Sequence, residues 1–166
     1  MLKRILQRTT TTTLGSKRPF AHRPLSTHER LLVIGSGVAG STAALIAAET
    51  HRIPVTMLYA GAVPTDCNSY WAQGGIIYRG NNPDSPDLLA QDIHRAGAGL
   101  CVDAAVRKVA HEGPARVQEI LLSEEVFANV PFDRDGDGVL ELCLEASHAA
   151  RRILHTGDHT GKSITE

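Results

Sequence analysis

Three short consecutive segments carry the clearest pattern of apolar positions in the chain. Leu31–Ile34 is an apolar run that ends at Gly35, and such a run bounded by glycine predicts a buried parallel strand. Residues 38–50 are rich in alanine and contain no proline, which predicts a helix of about three turns. Residues 55–59 predict a second strand. Strand, helix and strand in so short a stretch predict a βαβ unit, and therefore an α/β fold with parallel strands.

A long segment without periodicity follows this unit. Residues 60–83 are rich in Gly, Asn, Pro and Asp, which predicts a loop. Its centre, residues 70–77, is largely apolar and contains the only tryptophan, so we expect a functional loop rather than a disordered one. A helix is predicted next, with Ser85 as its N-cap, Pro86 in its first turn and its end at Gly97.

The last third of the chain predicts another helix and then short strands. Asp103 is placed to cap a helix, and Gly113-Pro114 is expected to interrupt it before helical spacing resumes. Residues 139–144 alternate as a strand does, and Ile153-Leu154 predicts a further strand.

The amino-terminal segment, residues 1–30, differs in composition from the rest. It contains seven basic residues against the single acid Glu29, whereas residues 31–166 carry 10 basic and 17 acidic groups. It is rich in threonine and serine and lacks the apolar centre of a secretory signal. These properties predict an organellar transit peptide, and a basic amphipathic helix over residues 1–7 favours the mitochondrion. A plastid leader and a disordered basic arm are the alternatives, and the folded part is expected to be residues 31–166.

A glycine-rich motif of the form G-x-G-x-x-G lies between the first predicted strand and helix. Its residues are Gly35, Ser36, Gly37, Val38, Ala39 and Gly40. The first glycine permits a tight turn, the second lets a diphosphate approach the backbone, and the third lets the helix pack closely on the strand. The unsatisfied N–H groups of the helix start point toward the anion. The motif predicts dinucleotide binding, and an ordinary strand-to-helix turn is the alternative.

The motif by itself does not distinguish FAD from NAD. An acid at the end of the second strand usually bonds the ribose hydroxyls. Here Tyr59-Ala60-Gly61 stands at that place, and the nearest acid is Asp66.

Composition excludes several classes of protein. No apolar stretch approaches the roughly 18 residues of a membrane span, and a net charge of −1 does not indicate nucleic-acid binding. Three cysteines without a C-x-x-C pair argue against a disulfide scaffold and a zinc ribbon.

Three further segments, in this order, carry a resemblance to a known family. They are residues 68–76 (NSYWAQGGI), 92–101 (DIHRAGAGLC) and 130–135 (VPFDRD). Together with residues 33–40, they resemble the flavoprotein family of L-aspartate oxidase, succinate dehydrogenase and fumarate reductase. The segment from Arg151 to Gly161 (RRILHTGDHTG) resembles the L-aspartate oxidase branch, as do W-A-Q-G-G and the glycine-rich D-x-x-x-A-G-A-G-L-C.

The resemblance implies a Rossmann-like FAD-binding domain of the α/β class, of which residues 31–166 are the amino-terminal part. Its closing strands and a capping domain would lie beyond residue 166. It implies that Ser36–Ala39 contact the FAD diphosphate and that a loop from the second strand lies along the flavin. The residues of that loop are Asn68, Ser69, Tyr70, Trp71, Ala72, Gln73, Gly74 and Gly75.

Within this family, the dehydrogenase branch has a histidine that bonds covalently to the flavin. Asn68 or Ser69 stands at the matching position here, so the resemblance implies noncovalent FAD. Glu145 matches the carboxylate that orients the amino group of aspartate. Two positions depart from the L-aspartate oxidase pattern: Ala60 replaces a lysine near the adenosine, and Leu144 replaces an arginine beside the glutamate.

The resemblance implies FAD-dependent oxidation of L-aspartate to iminosuccinate, with oxygen or fumarate as the electron acceptor. The product would feed quinolinate and NAD synthesis, with quinolinate synthase as a partner. The catalytic arginine and histidine are expected beyond residue 166, so we expect residues 1–166 alone to be inactive. The alternatives are a flavoprotein resembling fumarate reductase or succinate dehydrogenase, and a truncated, non-catalytic nucleotide-binding module.

Two patterns are reminiscent of metal sites, and we predict a metal at neither. Asp133-x-Asp135-x-Asp137-Gly138 begins like a calcium loop, but Leu144 occupies the twelfth position, where a glutamate is needed. We therefore expect a solvated turn. Three loosely spaced histidines, His148, His155 and His159, lack a fourth ligand, so we expect surface or flavin-adjacent side chains.

Overall fold

The computed structural model describes residues 30–123 and 129–166, and residues 1–29 of the predicted leader lie outside this part. The chain divides into two compact units. Residues 30–70, with Thr165 and Glu166, belong to the first, and Trp71–Ile164 form the second.

The first unit is built on the βαβ unit that the sequence predicts. Strand β1 is Leu31–Ile34, helix α1 is Val38–Glu49 and strand β2 is Val55–Leu58. The strands are parallel, with Leu31 opposite Val55. Alanine and leucine side chains of α1 are buried, as is Val55 of β2, and this burial stabilises the unit. The predicted elements are confirmed here, and the helix and the second strand each end one residue earlier than predicted.

The segment that we expected to be a single loop contains two elements. Helix α2 is Asn68–Trp71, and strand β3 is Gly75–Ile77. Strand β3 pairs with strand β5, Ile153–His155, in antiparallel register, so that Ile76 lies opposite Leu154. A three-residue strand that depends on a partner far along the chain leaves no local pattern, which is why periodicity did not predict it.

Strand β5 is the centre of a three-stranded sheet in the second unit. Its other neighbour is strand β4, Leu142–Cys143, so the order is β3-β5-β4. The side chain of Leu154 is fully buried in this sheet. The strand predicted over residues 139–144 forms only at its end, and Leu140 makes an isolated bridge with Arg134. The Asp- and Gly-rich residues 135–138 form a turn that places Leu140 opposite Arg134.

Two helices pack together in the second unit. Helix α3 is Pro86–Gly97, and helix α4 is Asp103–Ile120. The hydroxyl oxygen of Ser85 accepts a hydrogen bond from the N–H of Leu88 at 3.1 Å, which confirms the predicted N-cap. A short helix α5, Thr160–Thr165, ends the chain.

Two predictions for α4 are wrong. Val102, not Asp103, is the N-cap, and Asp103 instead binds Arg107 one turn later, at 2.9 Å. The helix also continues through Gly113 and Pro114. Buried Ala110 and Val117 lie on either side of the proline, and their burial outweighs the hydrogen bond that proline removes. No helix within residues 30–123 and 129–166 is long and apolar enough to cross a membrane.

Candidate functional site

The glycine motif forms a turn that only glycine can make at two positions. Gly35 follows β1 with φ of +107°, a conformation that other residues rarely adopt. A Cβ atom on Gly40 would overlap the carbonyl oxygen of Gly35 and lie 3.3 Å from the Val33 side chain. Helix α1 therefore starts directly above the end of β1, which is the packing that a dinucleotide-binding turn requires.

The first turn of α1 lacks an acidic residue and a side-chain cap, and its N-cap is Gly37. The N–H of Val38 donates to the hydroxyl oxygen of Ser69 at 3.0 Å. A Cβ on Gly37 would approach that same oxygen at 3.1 Å, so the backbone here is closely approached by another group. The structure thus brings Ser69 to the glycine turn, at a helix start of the kind that can accept an anion.

Asp66, the nearest acid after β2, lies against Gly61. The segment after Tyr59 folds back, and a Cβ on Gly61 would overlap the side chain of Asp66. Spacing along the sequence could not place this carboxylate, because its position depends on the loop conformation.

The residues on either side of Gln73 are hydrogen-bonded to residues 160 and 161. The hydroxyl group of Thr160 donates to the carbonyl oxygen of Gly74, and the N–H of Gly161 donates to the carbonyl oxygen of Ala72 at 2.9 Å. Gly74 has φ of +53°. Trp71, at the end of α2, is 70% exposed. These bonds hold the backbone of the Q-G-G segment at the start of β3.

Glu145 lies beside this backbone. A Cβ atom on Gly74 would lie 3.1 Å from Oε2 of Glu145, so glycine leaves room for the carboxylate. Oε1 accepts a hydrogen bond from the thiol of Cys143 at 3.6 Å. Burial and the neighbouring Glu145 carboxylate raise the pKa of the Cys143 thiol. The structure therefore brings together Gly74 and Glu145, two of the residues singled out in the sequence.

A buried group of charges is the main feature of this unit that the sequence did not reveal. Arg152 is fully buried and binds both Asp84 and Asp92, with Nη2–Oδ1 and Nη1–Oδ2 distances of 2.6 and 2.7 Å. We call these three residues the charge cluster. Burial alone would raise the pKa of each carboxyl group, but the backbone N–H groups and Arg152 hold both pKa values below the ordinary value.

Several aspartates and histidines of the metal-like patterns are bonded to other groups of the protein. Oδ1 of Asp135 accepts the N–H groups of Asp137 and Val139, which closes the turn. Asp133 pairs with Nδ1 of His155 at 3.0 Å. In residues 30–123 and 129–166, no group of three or more His, Cys, Asp and Glu side chains is arranged to hold a metal ion.

Comparison with known proteins identifies relatives for nearly the whole described chain. A family described as an FAD binding domain matches residues 30–166. The L-aspartate oxidase of Mesorhizobium japonicum is 39% identical over 134 residues, which are 80% of this chain and 25% of that protein. L-aspartate oxidase 2-a, chloroplastic, of Nicotiana tabacum is 39% identical over 132 residues, 80% of this chain and 19% of that protein. The chain thus spans about a quarter or less of the length of these relatives.

Solved structures of the same flavoprotein group have a similar fold. Sdh1 of Mycobacterium smegmatis gives a TM-score of 0.70 at 29% identity, over 82% of this chain and 22% of that chain. FrdA of the E. coli quinol fumarate reductase gives a TM-score of 0.72 at 23% identity, again over 82% of this chain and 22% of that chain. The second likeness concerns the fold alone.

Proposed function

Because the chain belongs to the FAD binding domain family, with FAD as its cofactor, we propose that it acts as part of an FAD-dependent L-aspartate oxidase. The proposed reaction removes a hydride and protons from L-aspartate and gives iminosuccinate. The relatives named L-aspartate oxidase, at 39% identity, support this reaction.

The observation that carries the proposal is the position of Glu145 against Gly74. L-Aspartate carries an ammonium group that succinate lacks. A carboxylate beside that ammonium group forms a charge-assisted hydrogen bond and so directs the neighbouring Cα–H bond. Oxidation of a dicarboxylate without an amino group has no use for such a carboxylate.

The residues present fit FAD. The glycine turn, Gly35–Gly40, and the Ser69 hydroxyl would hold the diphosphate, since a helix start without acids and without side-chain bulk accepts an anion. The loop over residues 68–75 would lie along the flavin. When bound, the flavin ring supplies the hydride acceptor. Asn68 or Ser69 matches the position at which the dehydrogenase branch has its histidine, so we propose noncovalent attachment.

We further propose oxygen or fumarate as the acceptor of the electrons, and a route from the product to quinolinate and NAD. Iminosuccinate is an imine that water hydrolyses, so transfer to quinolinate synthase is the proposed partnership. A catalytic arginine and histidine are needed in addition to residues 30–166.

A succinate dehydrogenase-like or fumarate reductase-like flavoprotein is the second candidate, favoured by the likeness to Sdh1 at 29% identity. A non-catalytic nucleotide-binding module is the third. Residues 1–30 are proposed as an organellar leader. We keep the mitochondrion as the proposed compartment and the plastid as its alternative, which the chloroplastic names of the plant relatives favour. Fluorescent fusions of residues 1–30 test the two compartments.

The test is turnover by protein expressed from its complete gene, with L-aspartate and with succinate as substrates. The expected result is formation of iminosuccinate from L-aspartate and no turnover of succinate. Glu145→Gln should raise the KM for L-aspartate by about tenfold, because a hydrogen bond between two charges is lost. Glu141→Gln, an exposed glutamate nearby in sequence, is the matched control and should leave KM unchanged. Turnover of succinate, or of neither substrate, would support the second or third candidate.

A further inference from the structure

The turn that carries Glu145 is attached at its far end to the charge cluster. Nη1 of Arg152 contacts Nδ1 of His148 at 2.9 Å. Oδ2 of Asp92 accepts the N–H of Ala149 at 2.8 Å. Two consecutive residues of the chain, one through its ring and one through its backbone, are therefore held by buried charged groups.

The turn itself is short and closed. The N–H of His148 donates to the carbonyl oxygen of Glu145 at 3.1 Å. Ala146, inside the turn, has φ of +46°, which a residue with a side chain adopts only when its surroundings hold it there. Because the turn is closed, its far end at His148 determines where its near end lies.

The near end presents the Glu145 carboxylate to two groups. Gly74 leaves room for Oε2, and the Cys143 thiol donates to Oε1 at 3.6 Å. Glu145 itself is exposed, so burial does not hold its carboxylate at this place.

We propose that His148 and Arg152 are positioning residues for Glu145: the buried guanidinium holds the His148 ring, and the closed turn transmits that position to the carboxylate beside Gly74. The inference rests on the proposed function, since it deepens the role given there to Glu145. Neither side chain is assigned a contact with substrate.

The chemistry of the pair defines which replacements keep it. A guanidinium can only donate hydrogen bonds, so Nδ1 of His148 must accept one, and the ring carries its proton on Nε2. An asparagine side chain offers an acceptor oxygen at nearly the same distance from the backbone as Nδ1. A leucine side chain has similar bulk to the ring and no acceptor.

The first experiment measures kinetics with protein expressed from its complete gene and loaded with FAD. His148→Leu should raise the KM for L-aspartate by about tenfold with a smaller change in kcat, and His148→Asn should recover most of that loss. In a Glu145→Gln background, His148→Leu should add nothing further, because the residue through which it acts is already changed. An additional loss in that background would overturn the proposal.

The second experiment does not depend on turnover. Alkylation of the Cys143 thiol, followed against pH by peptide-resolved mass spectrometry, reports the pKa that burial and the Glu145 carboxylate raise. His148→Leu should lower this pKa in the same direction as Glu145→Gln, and the double variant should show no further shift. His148→Asn should resemble the unchanged protein.

The two experiments separate the two claims. If the protein fails to oxidise L-aspartate but His148→Leu shifts the thiol as expected, the proposed function is wrong and the positioning of Glu145 stands. If His148→Leu lowers only the unfolding temperature, and leaves both KM and the thiol pKa unchanged, His148 is merely structural and the inference is wrong.

Discussion

The glycine turn of residues 35–40 and the charge cluster of Asp84, Asp92 and Arg152 place their functional groups by different means. In the turn, the close packing joins residues near in sequence, Gly35 and Gly40, although the Ser69 hydroxyl comes from 31 positions beyond Val38. In the charge cluster, Arg152 reaches partners 60 and 68 positions away. The turn depends on the absence of side-chain atoms, whereas the cluster depends on buried charges. Each should therefore fail under a different kind of substitution.

The largest effect is expected from removing one charge of the cluster. Asp92→Asn leaves Arg152 buried with one ionic partner fewer, and it should lower the free energy of unfolding by about 3–5 kcal/mol. The measurement is urea unfolding of the FAD-loaded protein, followed by far-ultraviolet circular dichroism.

Asp87→Asn is the matched control for that variant. The same substitution is made in the same helix, but the Asp87 side chain is 80% exposed, so it should change stability far less. Equal losses for the two variants would mean that burial of the cluster has no energetic consequence.

Lowering the pH should remove the stabilisation that the charge cluster provides. The folded protein lowers the pKa of Asp84 and Asp92 below the ordinary value of 3.8. The unfolded chain then binds protons more readily, so the stabilisation is complete above the ordinary pKa and is lost as pH falls through the lowered one. Urea unfolding against pH should give curves for the unchanged protein and Asp92→Asn that converge in acid. Curves that stay parallel would contradict this account.

A smaller effect is expected at the glycine turn. Gly40→Ala places a Cβ against the carbonyl oxygen of Gly35, and the resulting shift of α1 should weaken FAD binding by about 1–3 kcal/mol, which corresponds to about a 5- to 150-fold loss of affinity. Titration of apoprotein with FAD, followed by flavin fluorescence, measures it.

Gly136→Ala provides the reference for this titration, because a Cβ there would meet no atom within 4 Å. Its FAD affinity should equal that of the unchanged protein. Unaltered affinity in Gly40→Ala as well would show that the turn does not control the cofactor.

The smallest effect should be a gain. Gly113 lies inside α4, and a Cβ there would meet nothing within 4 Å. Gly113→Ala should therefore stabilise the protein by about 0.5–1 kcal/mol through helix propensity, provided that α4 is continuous past Pro114. Urea unfolding measures the gain in stability. A loss of stability would indicate that α4 is interrupted at Gly113-Pro114, as the sequence predicted.

The sequence could predict whatever depends on contiguous residues. The βαβ unit, the glycine turn and the Ser85 N-cap follow from local rules, and a resemblance identified Glu145. Strand β3 and the ion pairs of Arg152 could not be predicted, because they form only when distant segments of the chain come into contact. A lone Asp92 in a predicted helix gives no sign that it is buried, and Arg152 beside an apolar run gives only a faint one. The continuation of α4 through Pro114 likewise depends on burial of its neighbours.

The most direct test of the account is the state of the flavin in protein purified from the complete gene. The glycine turn and the loop over residues 68–75 are expected to hold FAD without a covalent bond. Acid precipitation followed by absorption spectroscopy should then release stoichiometric FAD into the supernatant. Protein that carries no flavin and takes none up, or flavin that stays with the precipitated protein, would contradict it.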